Sequence, residues 1–66
     1  MRLVCDEMLH GLARWLRAAG HDTIVAPGGT ADGTLIRQAA EERRVLLTRD
    51  RRLAAASGHR ARIDLV

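Results

Sequence analysis

Val45-Leu46-Leu47-Thr48-Arg49-Asp50 and, near the amino terminus, Leu3-Val4-Cys5-Asp6 are short apolar runs that each end on an aspartate, and a helical pattern follows each aspartate at once. Continuous apolar runs of this length suit strands buried on both faces, the habit of parallel sheets. As parallel strands of one sheet they bring both carboxylates out at its carboxyl edge, where open α/β sheets hold their ligands. Acids converging there suit a hard divalent cation, and such a cation suits phosphodiester chemistry.

The rest of the chain alternates around these two runs. Arg2 to Cys5 reads as the first strand. A helix follows from about Glu7 to Ala19, with Met8, Leu9, Leu12, Ala13, Trp15, Leu16 and Ala19 at helical spacing. Gly20 is its expected stop, because glycine takes the left-handed cap conformation without strain. Asp22 to Ala26 offers a second strand, and Pro27-Gly28-Gly29 must be a loop. Thr30 or Asp32 is the candidate cap of a helix running to about Arg43, with Leu35, Ile36, Ala39 and Ala40 inward. Val45 to Thr48 is the third strand, Arg51 to Ser57 a short helix stopped by Gly58, and Arg62 to Val66 a fourth strand. This β-α-β-α-β-α-β order predicts an α/β fold, a parallel sheet with flanking helices, in a single domain over residues 1–66.

At 66 residues the chain is small for such a fold. A domain of that size buries only about 60% of its unfolded surface. The single cysteine excludes an intrachain disulfide, and no Cys/His spacing suggests a zinc site. Self-association into a homo-oligomer, such as a dimer, or a further stretch of chain is therefore expected. Cys5 itself reads as a buried, inert thiol. The chain shows no charged-then-apolar leader and no apolar run of the roughly 20 residues a membrane span needs, so a cytoplasmic protein without membrane contact is expected. All 11 basic residues are arginine, and the net charge of +3 permits a polyanionic partner. Trp15 is the sole aromatic residue. Its place in the apolar stripe reads as a core anchor, and base-stacking platforms are not expected.

Asp6, Glu7, Asp32 and Asp50 are the acids near strand ends or helix starts. One reading is a carboxylate cluster for Mg²⁺ or Mn²⁺, whose bound water would attack a phosphodiester. The rival reading is helix capping, since aspartate is a favoured N-cap and an acid in a first turn suits the helix dipole. Caps need not converge in space, whereas ligands must, and spacing alone leaves both open.

Two longer stretches add a resemblance. Cys5-Asp6-Glu7-Met8-Leu9, followed by Leu12-Ala13-Arg14-Trp15-Leu16-Arg17-Ala18-Ala19-Gly20-His21-Asp22-Thr23, resembles the opening of the PIN-like family related to the carboxy-terminal ribonuclease domain of Mut-type exonucleases. Arg44-Val45-Leu46-Leu47-Thr48-Arg49-Asp50-Arg51-Arg52-Leu53 is similar to that family's second signature. The resemblance implies an α/β nuclease whose strand-end acids bind divalent metal and cut RNA. It implies Asp6, Asp32 and Asp50 as catalytic and metal-binding acids, with Glu7 in support. The chain departs from the family in three ways. Gly33 and Thr34 stand where further acids are usual, His10-Gly11 replaces a glycine-then-basic pair, and the chain matches only the front half of domains that often end in a cysteine-rich zinc segment.

Arg14 and Arg17 lie three apart on one helical face, and Arg49, Arg51 and Arg52 flank Asp50. Arginine forks match phosphate oxygens, so both groups are candidate RNA contacts, against the alternative of a solvated charged face. Glu41 and Glu42 read as solvated surface. A metal-dependent ribonuclease is the expected activity. The competitors are a non-catalytic module binding RNA or a protein, and a phospho-acceptor receiver domain, which the absence of lysine disfavours.

Overall fold

A computed structural model of the chain describes residues 1–56 and 61–66. The elements are β1 (Arg2–Cys5), α1 (His10–Ala18), β2 (Asp22–Val25), α2 (Asp32–Glu41), β3 (Val45–Thr48), α3 (Arg51–Ala56) and β4 (Ile63–Leu65). All strand pairs are parallel, and the sheet runs β2-β1-β3-β4. The α/β alternation and the parallel sheet are those the sequence predicts. The expected helix end at Ser57 and the stop at Gly58 lie outside the described residues.

Because side chains alternate across a strand, the sheet buries two cores. Val4 and Leu46, with Ile24 and Ile63, face α2 and α3 through Leu35, Ile36, Ala39 and Leu53. Cys5, Val25 and Leu47 face α1 through Leu9, Leu12, Ala13 and Leu16. Helices thus cover both faces, which explains the unbroken apolar runs of β1 and β3. The chain moves from β1 outward to β2 with α1 on one face, then returns past β1 to β3 with α2 on the other. Direction and face reverse together, so the crossovers keep one hand. The reversal leaves a switch point between the carboxyl ends of β1 and β3.

The two long helices end alike. Gly20 (φ 95°) follows α1, with Gly20 N–H donating to Arg17 O and His21 N–H to Leu16 O, each at 3.0 Å. Arg43 (φ 53°) holds the same place after α2, with Arg43 N–H reaching Ala40 O at 3.3 Å and Arg44 N–H reaching Ala39 O at 2.8 Å. Both are paired-bond C-caps of the kind glycine favours, and Gly20 stops α1 as its sequence implies. An arginine in the left-handed region carries strain of about 1 kcal/mol.

That strained turn delivers Arg44 to the amino edge of the sheet, where its guanidinium is buried. Nη1 donates to Leu3 O, Asp22 O and Asp22 Oδ1, each at 3.1 Å, and Nε donates to Glu42 Oε1 at 2.8 Å. Arg2 adds Nη1 to Asp22 Oδ2 at 3.2 Å and Nε to Glu42 O at 2.9 Å. Glu42 is therefore no free surface acid, contrary to its sequence reading, although Glu41 is exposed. Hydrogen bonds from Arg44 and then Gln38 hold the Glu42 carboxyl below the usual glutamate range.

Other expectations change. α1 starts at His10 rather than Glu7, because Asp6 to Leu9 forms a turn in which Leu9 N–H donates to Asp6 O at 3.0 Å. Leu9 is its N-cap residue and no side chain caps it, so Asp6 is not a helix cap. Neither Thr30 nor Asp32 caps α2. The N-cap residue is Ala31, the Thr30 hydroxyl donates to Pro27 O at 2.6 Å, and Asp32 occupies the first turn. Trp15 is 79% exposed, which overturns its reading as a core anchor. Leu9, Leu12, Ala13 and Leu16 complete the inward face, and at 3.6 residues per turn Trp15 falls roughly a third of a turn from its centre.

Candidate active site

The site begins with two strand ends at the switch point. Asp6 N–H donates to Leu47 O at 3.0 Å, so pairing with β3 continues to the aspartate itself. Its Oδ1 then accepts Met8 N–H at 2.9 Å, a local turn bond that fixes the carboxylate's rotation. At the end of the neighbouring strand β3, Thr48 is fully buried, and its hydroxyl donates to Asp6 Oδ2 at 2.7 Å. The same hydroxyl accepts Asp50 N–H at 3.0 Å. One buried oxygen therefore ties the acid ending β1 to the acid following β3.

Asp50 does cap its helix. Its Oδ1 accepts Arg52 N–H at 2.8 Å and Leu53 N–H at 3.3 Å. Oδ2 receives no hydrogen bond among the described residues. Capping and site placement are thus compatible at Asp50, because each uses a different oxygen.

Asp6, Glu7, Asp32 and Asp50 all line one cleft of about 400 Å³ at the carboxyl edge. Leu35 and Leu53 contribute apolar wall, Pro27 and Thr30 the β2–α2 loop, and Arg49 a cation. Glu7 Oε2 lies 2.9 Å from where a Cβ on Gly28 would sit, so the glycine makes room for this carboxylate. Among the described residues none of the four acids joins an ion pair. Strand ends and loops bring them to one cleft, where Arg49 is the lining cation.

Convergence on one cleft is not a finished cage. Among the described residues, no three His, Cys, Asp or Glu side chains are grouped to hold a metal ion. The donor set nonetheless has the right chemistry for Mg²⁺ or Mn²⁺, being all carboxylate oxygen. Mg²⁺ usually keeps several waters and binds through one or two carboxylates plus substrate phosphate. Asp6 and Asp50, coupled through Thr48, suit that mode.

The arginines divide. Arg49 is in the cleft wall, and Arg51 and Arg52 are exposed at the start of α3 beside Asp50. Arg17 Nε donates to Thr23 O at 2.8 Å, so that side chain is anchored to β2. Arg14 lines a separate groove with Trp15, outside the acidic cleft. Sequence reasoning missed Thr48 as a participant. Its signal was position, a hydroxyl two residues before Asp50 at the inward end of a buried strand. Cys5, behind the site, is fully buried, and that burial pushes its thiol above the usual range.

A family model described as the Mut7-C RNAse domain matches residues 1–65. The chain belongs to the Mut7-C RNAse domain family. The resemblance read from the Cys5–Thr23 and Arg44–Leu53 stretches is therefore borne out, and a ribonuclease-like domain is the class the family supports. No curated protein and no solved structure matches this Mut7-C RNAse domain. Among its described residues no helix is long and apolar enough to cross a membrane.

Proposed function

We propose that this Mut7-C RNAse domain hydrolyses RNA phosphodiesters with a divalent cation, Mg²⁺ or Mn²⁺, held in the acidic cleft. The observation that carries the reading is the convergence of Asp6, Glu7, Asp32 and Asp50 on one cleft at the β1/β3 switch point, without ion-pair partners among the described residues. Four carboxylates lining one cleft without ion-pair partners among the described residues leave oxygens available to a hard cation. Asp6 and Asp50 are the proposed principal ligands, with Glu7 and Asp32 as outer acids that hold coordinated water.

When bound, the cation supplies Lewis-acid polarisation of the phosphate and a lowered pKa for a water beside it. The chain's own residues do the rest. Asp50 Oδ2, free of the capping bonds, is the oxygen that would face the cation, and the outer acids Glu7 and Asp32 would orient the attacking water and take its proton. Thr48 keeps the Asp6 carboxylate turned toward the cleft. Arg49 donates to a non-bridging phosphate oxygen, with Arg51 and Arg52 receiving the flanking backbone.

The test is Mn²⁺-dependent cleavage of a labelled single-stranded RNA by the wild type and by Asp6→Asn and Asp50→Asn. Asparagine retains capping ability at position 50, so folding persists in that variant. A drop of at least about 100-fold in each is expected, the scale of losing one electrostatic participant. Undiminished cleavage in either variant refutes the assignment.

A second reading, a non-catalytic RNA-binding module, draws on the absence of a three-ligand group among the described residues. Calorimetry separates the two. Mn²⁺ binding that disappears in Asp50→Asn supports hydrolysis, whereas RNA binding without any millimolar Mn²⁺ binding supports the module.

A further inference from the structure

The outer face of α1 carries a feature that the cleft does not use. Trp15, the protein's sole aromatic residue, is 79% exposed. With Gly11, Arg14 and Ala18 it lines a groove of about 390 Å³. Gly11 has nothing within 4 Å of an added Cβ, so the groove is open at its Gly11 end. A ring this exposed is available for stacking, with its indole N–H free to meet solvent or a partner.

Charge identifies the occupant. Residues 8–21 contain no aspartate or glutamate, and Arg14 and Arg17 are their arginines. The face is thus uniformly basic around a single π-surface. A second protein copy is a poor fit. A two-fold contact of this face with itself would bring arginines together with no acid of residues 8–21 to meet them. A flat ring beside a guanidinium matches one base and its phosphate, the unit from which single-strand platforms are built. The groove lies on the helix that follows the cleft. Met8, itself 80% exposed, lines the acidic cleft in the turn before α1, and Gly11 lines the groove in the first turn of α1. From Gly11 to Trp15 is about 6 Å along the helix at roughly 1.5 Å per residue.

We infer that Trp15 and Arg14 form a single-stranded RNA subsite beside the cleft, the indole stacking on a base and the guanidinium holding the adjoining phosphate. The inference rests on the ribonuclease reading for its substrate class and adds the direction in which the strand leaves the acids. It also reverses the expectation, drawn from composition, that base stacking plays no part.

The absence of any other aromatic residue makes Trp15 its own reporter. The experiment titrates the protein with a short fluorescein-labelled oligouridine RNA in EDTA, reading label anisotropy and tryptophan emission together. Quenched emission that tracks binding is expected. Trp15→Leu should weaken binding about tenfold, the scale of one stacked base, with the salt slope intact. Arg14→Gln should instead flatten the log–log salt slope by roughly 0.7, the value for one phosphate contact on a single strand. RNA binding with unchanged emission, or full affinity in Trp15→Leu, overturns the subsite and leaves hydrolysis standing. Tryptophan emission that shifts with protein concentration without RNA, together with a doubled mass, assigns the face to a second copy and also overturns it. Intact quenching in a protein that never cleaves RNA with Mn²⁺ refutes the proposed hydrolysis and leaves the subsite standing. Absence of both RNA binding and cleavage overturns both.

Discussion

The two edges of the sheet hold charged residues in opposite ways. At the amino edge Arg2, Asp22, Glu42 and Arg44 close on one another, and Arg44 also caps the carbonyls of Leu3 and Asp22. At the carboxyl edge Asp6, Glu7, Asp32 and Asp50 share a cleft with Arg49, and no ion pair among the described residues includes any of these acids. One edge is electrically complete and the other is not. The amino edge satisfies its charges within the chain, whereas the carboxyl edge leaves its acids unpaired among the described residues, which is what the proposed cation site requires.

The largest effect should come from exchanging the guanidinium at each edge for an apolar chain. Arg44→Met strands two carbonyls and two carboxylates, and about 2–3 kcal/mol of stability should be lost, enough to unfold much of the population. Arg49→Met should change stability by less than about 0.5 kcal/mol while lowering RNA cleavage. Urea melts of the two variants check this, and equal losses would erase the distinction between the edges.

Thr48→Val probes the single buried hydroxyl of the carboxyl edge. It removes the donor to Asp6 Oδ2 and the acceptor for Asp50 N–H. A loss of about 1–2 kcal/mol is expected, with weaker Mn²⁺ binding by calorimetry. Thr48→Ser should restore the ion affinity, because it keeps the oxygen.

Arg43→Gly sharpens the contrast in the other direction. Glycine relieves the left-handed strain but adds unfolded-state freedom, for a net gain of up to about 0.5 kcal/mol. A higher urea midpoint with unchanged cleavage is the expected result.

Acid gives the smallest effect. The Glu42 carboxyl is held low by Arg44, so its contribution is complete above the ordinary glutamate pKa and is lost as pH falls through the lowered folded-state value. The urea midpoint of the wild type should therefore fall below about pH 4.3 more steeply than that of Glu42→Gln. Parallel decline in both would detach this carboxylate from the stability of the amino edge.

Much of the architecture could be read from the chain itself. β1 and β3 were plain because burial on both faces forces uninterrupted apolar runs, and Gly20 marked a helix end because the left-handed cap favours it. The acids could be assigned to one edge on topology alone. Three features could not be read. Periodicity shows where an apolar stripe lies but not how wide a strip the sheet covers, so Trp15 was placed inside. Local pattern suggests helix immediately after Asp6, but the bonds from Thr48 and Met8 hold the aspartate in a turn. Arg44 lies among other charged residues, and nothing local distinguishes a guanidinium drawn under the sheet from one in water. Thr48 was legible as position and illegible as role, since its two partners stand on different segments.

The reach of Arg44 has a consequence for how the chain folds. Its guanidinium touches segments separated by 41 and 22 positions, and the shared oxygen of Thr48 spans another 42. None of these bonds can form within one hairpin or one helix. Each requires distant strands to be aligned already, and closing such loops is slow. Both edges therefore lock late and together, making the domain behave as a single cooperative unit whose isolated pieces hold little structure.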